Sequence, residues 1–377
     1  VTPTEFPVLT VGDDAEERGR RHGERFARQI GENIAIYLER FAASGLDRDA
    51  ALAEGLAWDR SIAEKAPEYG AEMRAIAAAS GRTRGELALL NARYEIAFTL
   101  FGRDARKADG PAAEPDGCTT LGLLPEATAN GHTLMAQNWD WLSALRGNCL
   151  ILRIERTSRP SLVCLTEAGI VGGKMGVNSA GIGLVENGLA GPADGKNPYE
   201  KPFHVRCREV LDGGNLNDAM LPVVATRRTC SGNFVVGCAS GEIVDLETSP
   251  DEVAPLHPVG GIITHSNHFL DRRHGRSQME RLAPNTLFRA ARLERLLRRD
   301  AGKLDLAKIR AALSDHTSYP SALCRHSDQR QPAVRHTMTL ASVVLDLDER
   351  AMWIAEGPPC ESDYVRIDVA AGERLAA

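Results

Sequence analysis

The sequence predicts an α+β protein in which helices precede a mainly antiparallel sheet region, and two observations predict it. Before residue 115, apolar side chains recur at helical steps; from residue 118 onward the text is mostly short strand-like runs separated by turns. The order is helices, strands, helices, strands, which is a layered α+β pattern and not βαβ alternation.

Taken in order, Phe26, Ile30, Ile34, Tyr37 and Phe41 recur three and four residues apart with Arg and Glu between them, which predicts an amphipathic helix. Residues 48–65 and 68–79 are Ala-rich and also read as helices. Thr83 stands three residues before Glu86, a capping-box signature that opens the apolar run Leu87 to Phe101. Residues 102–117 lack apolar periodicity and are rich in charge, Pro and Gly, so they read as a surface loop or linker. The chain is therefore expected to divide into a helical segment, 1–117, and a second unit, 118–377. Strands are expected at 118–123, 133–139, 149–156, 161–167 and 181–186, with a tight turn inside Val177 to Ile182 where Asn and Gly tolerate positive φ. Helices follow at about 203–212 and 216–226, strands at 233–238, 242–246 and 260–264, and helices at about 285–299 and 304–314. Strands at 336–346, 351–355 and 364–368 close the chain.

At 377 residues the chain is long enough to bury a core without staples. A formal net charge of -6 speaks against nucleic acid or an anionic membrane as partner. No stretch approaches the ~20 apolar residues that span a bilayer. Val1 to Asp14 lacks a basic segment followed by an apolar run, so no secretory signal is expected. The eight cysteines form no Cys-x-x-Cys pair and are too sparse for a disulfide scaffold, so reduced, buried thiols in a cytoplasmic protein are expected.

Chemistry concentrates at Asp116-Gly117-Cys118-Thr119-Thr120, where the linker meets a strand. Glycine before a nucleophile permits backbone dihedrals that a side chain would forbid. The adjacent thiol can then attack the Gly117 carbonyl, and water can release the acyl group from sulfur. The new N-terminal amine of Cys118, with an ordinary pKa of ~7.7–8.0, can take the proton of its own thiol as general base. From these five residues alone, a plain loop-to-strand junction is the ordinary reading.

The segment Asp-Gly-Cys-Thr-Thr resembles the processing site of the acyl-coenzyme A:6-aminopenicillanic acid acyltransferases, autoproteolytic N-terminal-nucleophile (Ntn) hydrolases of peptidase family C45. Other segments resemble that family in co-linear order: Asn91-Ala92-Arg93-Tyr94-Glu95, Gln137-Asn138-Trp139-Asp140, Thr166 to Ile170 with Gly176 to Gly181, Thr264 to His268, and Tyr319-Pro320 with Cys324-Arg325. The resemblance implies a four-layer αββα sandwich in which 118–377 is the catalytic domain and 1–117 becomes a separate subunit. It implies that Cys118 is both cleavage residue and nucleophile and that the Asn267 amide donates to the oxyanion. It also implies that Asp140 holds the new ammonium group and that Arg325 pairs with Asp140 or a substrate carboxylate. The implied partners are a small-molecule amide substrate, an acyl-coenzyme A or amine acceptor, and the chain's own cleaved N-terminal segment as an αβ heterodimer.

The remaining motifs read as structural. His265-x-x-His268 invites a metal, but three residues is not one-face strand spacing and no third ligand is apparent, so neither metal nor cofactor is expected. Gly172-Gly173-Lys174-Met175-Gly176 lacks the context of a phosphate loop. Asn91, Arg93 and Glu95 read as a helix-to-core hydrogen-bond set. Arg289, Arg292, Arg295, Arg298 and Arg299 read as a solvated helix face, with coenzyme A phosphates as the alternative contact. Two competing functions stand beside the self-processing one: an unprocessed cysteine amidase with His265 or His336 as base, and a catalytically silent binding protein on the same scaffold.

Overall fold

A computed structural model of the chain describes residues 6–106 and 117–370. Strand β1 (Val8–Val11) precedes five helices: α1 (Ala15–Ala43), α2 (Arg48–Lys65), α3 (Pro67–Ser80), α4 (Arg84–Asn91) and α5 (Arg93–Arg106). Asp14 caps α1 by accepting from Glu17 N at 2.7 Å, and Thr83 and Glu86 form the expected capping box of α4. Gly19 and Gly23, one turn apart on α1, allow close packing on α3, because a Cβ at Gly19 would lie 2.2 Å from the Glu72 carbonyl oxygen. The linker expected at 102–117 begins later than the sequence suggests, since α5 runs to Arg106; residues 107–116 lie outside the described residues.

The chain from residue 117 onward supplies β2 (Thr119–Leu123), β3 (Leu134–Leu142), β4 (Cys149–Ile154), β5 (Leu162–Glu167), β6 (Gly176–Asn178) and β7 (Ile182–Gly188). Helices α6 (Phe203–Leu211) and α7 (Leu216–Val224) follow, then β8 (Gly232–Cys238), β9 (Glu242–Thr248), β10 (Val253–Leu256) and β11 (Ile262–His265). Helices α8 (Met279–Leu282), α9 (Thr286–Leu297) and α10 (Leu306–Leu313) lead to β12 (Thr337–Asp346), β13 (Ala351–Glu356) and β14 (Val365–Asp368).

These strands make two sheets. One has eight strands in the order β1-β4-β5-β6-β7-β8-β9-β10; the other has six, β11-β2-β3-β12-β13-β14. Every pair is antiparallel except β1 with β4, so the N-terminal segment is not wholly helical and adds an edge strand to the larger sheet. The sheets stack face to face. Met135 of β3 lies against Gly183 of β7 and Gly237 of β8, and Glu186 N donates to Gln137 Oε1 across the seam at 2.8 Å. All nine residues of β3 are buried, as a strand covered on both faces must be. Helices α9 and α10 cover the outer face of the smaller sheet, where Leu293, Leu297, Ile309 and Leu313 pack on Leu121, Ala136 and Val344. The N-terminal helices and α6 cover the larger sheet, so the layers are αββα.

A buried ionic cluster fastens the N-terminal helices to this core. Glu167 of β5 accepts from Tyr37 of α1 at 2.6 Å and from Arg93 Nε of α5 at 3.0 Å, and Lys174 Nζ lies 3.0 Å away. The Trp141 indole of β3 donates to Tyr37 Oη at 2.8 Å. Burial alone would raise the Glu167 pKa, but Arg93, Lys174 and the Tyr37 hydroxyl outweigh it and lower it to about 2. Lys174 thus belongs to a core ion pair and not to a phosphate loop. Asn91 holds the 169–171 turn, donating to Gly169 O at 2.9 Å and accepting from Val171 N at 2.9 Å, while Glu95 accepts from Phe203 N at 2.7 Å.

Candidate active site

Cys118 is fully buried immediately before β2, whose Thr119 pairs with Asn138 of β3. Two residues on, and so on the same face of β3, stands Asp140. The Gly117 amide donates to the Asp140 carbonyl at 3.3 Å. Thr339 of β12 is the ladder partner of Asp140, and its hydroxyl donates to Asp140 Oδ1 at 2.6 Å. The same hydroxyl accepts from Arg325 N at 3.0 Å, and Thr339 N donates to Arg325 O at 3.1 Å. The segment before β12 is thereby fixed, and Arg325 Nε reaches Asp140 Oδ2 at 3.3 Å. Both side chains are buried, so the pair serves geometry more than net stability. The Arg325 guanidinium also lies against Gly117: a Cβ there would sit 2.8 Å from Nη2 and 3.0 Å from Cζ. A side chain at this position would have to displace that guanidinium.

Asn267 follows β11 and is also fully buried. Its Nδ2 donates to Gly188 O, at the end of β7, at 2.9 Å, and its Oδ1 accepts from Arg289 Nη2 at 2.6 Å. Because a guanidinium only donates, the amide orientation follows from chemistry: oxygen faces Arg289, nitrogen faces away. Arg289 Nη1 also donates to Gly117 O at 3.2 Å, Cys118 O at 2.6 Å and Thr119 Oγ1 at 2.6 Å. Asn285 joins the two arginines, its Oδ1 accepting from Arg289 Nε at 3.0 Å and Arg325 Nη2 at 3.1 Å.

The four residues singled out in the sequence, Cys118, Asp140, Asn267 and Arg325, therefore meet in one buried hydrogen-bonded network. Three members escaped sequence reasoning: Thr339, Asn285 and Arg289. The reading of Arg289 as part of a solvated face is corrected, since it is fully buried. A signal existed. The buried positions of α9 are Thr286, Arg289, Ala290, Leu293 and Leu297, so Arg289 occupies an apolar-face position of the helix, unlike Arg292, which pairs with Asp315 at 2.6 Å.

The histidines offered as alternative bases have hydrogen-bond partners outside this network. His265 Nδ1 faces Ser266 O at 2.7 Å and Nε2 faces Glu247 Oε1 at 2.8 Å, so both ring nitrogens are engaged. Burial alone would lower the His265 pKa, but the nearby Asp245 and Glu247 carboxylates outweigh it and raise it. His268 Nδ1 instead lies 3.1 Å from Thr286 Oγ1. His336 Nε2 lies 2.8 Å from Gln331 O. A pocket of about 250 Å³ between the N-terminal helices and the 195–199 loop is lined by Trp58, Glu95, Thr99 and Tyr199, and Cys118 is not part of its wall. Among the described residues no helix is long and apolar enough to cross a membrane.

By its family the chain is an enzyme acting on amide bonds, an amide hydrolase or N-acyltransferase. The family model for acyl-coenzyme A:6-aminopenicillanic acid acyl-transferase matches residues 127–361, and the chain belongs to that family. The chain is 30% identical over 308 residues to the acyl-coenzyme A:6-aminopenicillanic-acid-acyltransferase 40 kDa form of Emericella nidulans, covering 81% of this chain and 79% of that one. Solved structures that resemble it include a Caenorhabditis elegans N-acylethanolamine-hydrolyzing acid amidase ortholog, at 15% identity and TM-score 0.46 over 61% of this chain and 93% of that one. Another is penicillin V acylase from Agrobacterium tumefaciens, at 16% identity and TM-score 0.45 over 67% of this chain and 86% of that one. The two stacked sheets between helical layers are the αββα layering expected from the sequence.

Proposed function

We propose that the chain is a self-processing cysteine amidase or acyltransferase that cuts itself between Gly117 and Cys118 and then works through an acyl-enzyme on Cys118. The observation that carries this reading is that Arg289 donates to the Gly117 carbonyl oxygen, the atom on which negative charge would develop during the cut. The Cys118 thiol loses its proton and its sulfur adds to the Gly117 carbonyl carbon. The C–N bond then breaks as a proton moves to the departing nitrogen. This leaves the Gly117 acyl group on sulfur as a thioester. Water hydrolyses the thioester, releasing a Gly117 carboxylate and an N-terminal Cys118 with a free amine.

In the mature enzyme the amine takes the thiol proton, the sulfur attacks a small amide, and the amine part of the substrate leaves. Asn267, its nitrogen turned away from Arg289, is the oxyanion donor; one such donor contributes roughly 2.7–4 kcal/mol in comparable sites. Asp140, held by Thr339 and Arg325, orients the new ammonium group. Arg325 doubles as a candidate for a substrate carboxylate. Water or an amine such as 6-aminopenicillanic acid then takes the acyl group, and an acyl-coenzyme A is a candidate donor, as the relative's name suggests. The 1–117 segment stays bound to 118–377 as an αβ heterodimer, supported by the Glu167 cluster and by β1, both of which join segment to core.

Intact-mass analysis of purified wild type beside Cys118→Ala tests the reading. Pieces of 117 and 260 residues, whose sum is the 377 of the chain, are expected only in the wild type. A fully active wild type that stays in one piece would overturn it.

A further inference from the structure

One cluster lies apart from the Cys118 network and has the makings of a metal centre. His316, Cys324, His326 and Cys360 each offer one ligand atom, and the four atoms lie within 4.8 Å of one another. We propose that these four residues form a Cys₂His₂ site for a tetrahedral zinc ion.

The spacing carries the argument. Zinc–sulfur and zinc–nitrogen bonds of about 2.3 and 2.05 Å at tetrahedral angles place sulfur from sulfur at about 3.8 Å, sulfur from nitrogen at about 3.6 Å, and nitrogen from nitrogen at about 3.4 Å. In this protein Cys324 Sγ and Cys360 Sγ are 3.4 Å apart. His326 Nε2 lies 3.6 Å from Cys324 Sγ and 3.4 Å from Cys360 Sγ. His316 Nε2 lies 3.2 Å from His326 Nε2. Each of these four edges falls within about 0.4 Å of the zinc tetrahedron. They are far longer than the ~2.05 Å of a disulfide.

The surroundings fit as well. Glu361 Oε1 lies 3.4 Å from His326 Nδ1, the ring nitrogen not aimed at the cluster, which is the place of the carboxylate that orients a ligating imidazole. The backbone is braced: Cys324 N donates to Asp315 O at 3.1 Å and His326 N to Pro320 O at 3.0 Å. Two thiolates and two neutral imidazoles favour zinc over hard cations and neutralise its two charges. Binding would release two protons, one from each thiol, and leave both imidazoles uncharged.

All four positions would be filled by protein, so the site is structural and takes no part as a Lewis acid. Its consequence is positional. Arg325 stands between two of the ligands, with its guanidinium on Asp140 while its neighbours face the cluster. A metal there would pin the 316–326 segment to the turn after β13 and so hold Arg325 on Asp140. The site stands on its own geometry and does not depend on the self-cleavage reading.

The full chain, purified without chelator, should carry one zinc per chain by plasma mass spectrometry. The double variant Cys324→Ser, Cys360→Ser should lose it, and Cys238→Ser should keep it. Because the double variant could fail to fold, the wild type gives a second readout. Stripped of metal and kept reduced, it should bind one equivalent of cobalt(II) with the intense visible and thiolate charge-transfer bands of a tetrahedral thiolate site, and zinc should bleach them. Substoichiometric zinc together with only the pale spectrum of octahedral cobalt would overturn the proposal. So would a Cys324–Cys360 disulfide in protein isolated under thiol-blocking conditions, seen as a mass two hydrogens short.

Discussion

Arg289→Lys separates a residue that holds the reacting bond from one that merely fills space. The guanidinium uses Nη1 on Gly117 O, Cys118 O and Thr119 Oγ1, Nη2 on Asn267 Oδ1 at 2.6 Å, and Nε on Asn285 Oδ1 at 3.0 Å. An ammonium keeps the charge but has one nitrogen and cannot serve both arms of the fork. Placed on Asn267 it gives up the Gly117 carbonyl, and placed on the carbonyls it gives up Asn267 Oδ1, which leaves that amide held only by its bond to Gly188 O. A hydrogen bond to a charged group contributes about 1.5–3 kcal/mol. Loss of one such interaction from the transition state slows a reaction by about 10- to 150-fold.

The assay is an intact-mass time course of cleavage after cell-free synthesis, with thermal melting of the same substitution in the Cys118→Ala background. On the proposed reading no cleavage occurs in that background, so melting there reports the structural cost alone. The expected result is slowed cleavage with a modest drop in melting temperature. Cleavage at the wild-type rate would refute the reasoning. So would a fall in stability large enough to leave little folded chain, which would make Arg289 a brace and nothing more.

Gly117→Ala should also slow cleavage, because the added methyl meets Arg325 Nη2 at 2.8 Å and must push the guanidinium off Asp140; overpacking of this kind costs about 1–3 kcal/mol, readable in the same melting and mass experiments. Glu167→Gln should destabilise by about 3–5 kcal/mol, the usual cost of breaking a buried ion pair from one side, because it leaves Arg93 and Lys174 facing a neutral amide; urea unfolding at neutral pH measures it. The wild type should show the matching acid dependence. The folded Glu167 pKa is lowered, from 4.5 to about 2, so its contribution is complete above 4.5 and is lost as pH falls from there toward 2. Urea midpoints across that window should fall more steeply in wild type than in Glu167→Gln, and parallel curves would contradict the assignment.

The long helices and central strands were legible because their apolar periodicity is sustained; the missed elements are those without room for a pattern. β1 has four residues, and its place depends on parallel pairing with β4, far along the chain. β10 contains Pro255, which belongs on an edge strand, and β10 is indeed the last strand of its sheet. In the site, Asp140 and Arg325 were legible as motif residues. Arg289 was hidden because five arginines at near-helical spacing look like one wet face, and only the companion Leu positions show that one of them points inward. The zinc ligands were hidden for a different reason. His316, Cys324, His326 and Cys360 follow no zinc-finger spacing, and the fold alone brings the turn after β13 to the segment before β12.

Burial of Cys118 bears on the order of events. Its side chain is fully buried, and on the proposed reading no external amide reaches the sulfur before the cut. The carbonyl covalently next to it is Gly117, and that carbonyl already accepts from Arg289 at 3.2 Å. On the proposed reading, the enzyme's first substrate is therefore its own backbone, and the groups that position that bond are inherited by the mature site. Asp140 illustrates this: its backbone oxygen accepts from the Gly117 amide and its carboxylate is held by Thr339 and Arg325, where on the proposed reading it would receive the amine that the cut frees. A site assembled for only one of the two reactions would need no such double use, which is why substitutions at Asp140, Arg325 and Arg289 should impair maturation and turnover together and not one without the other.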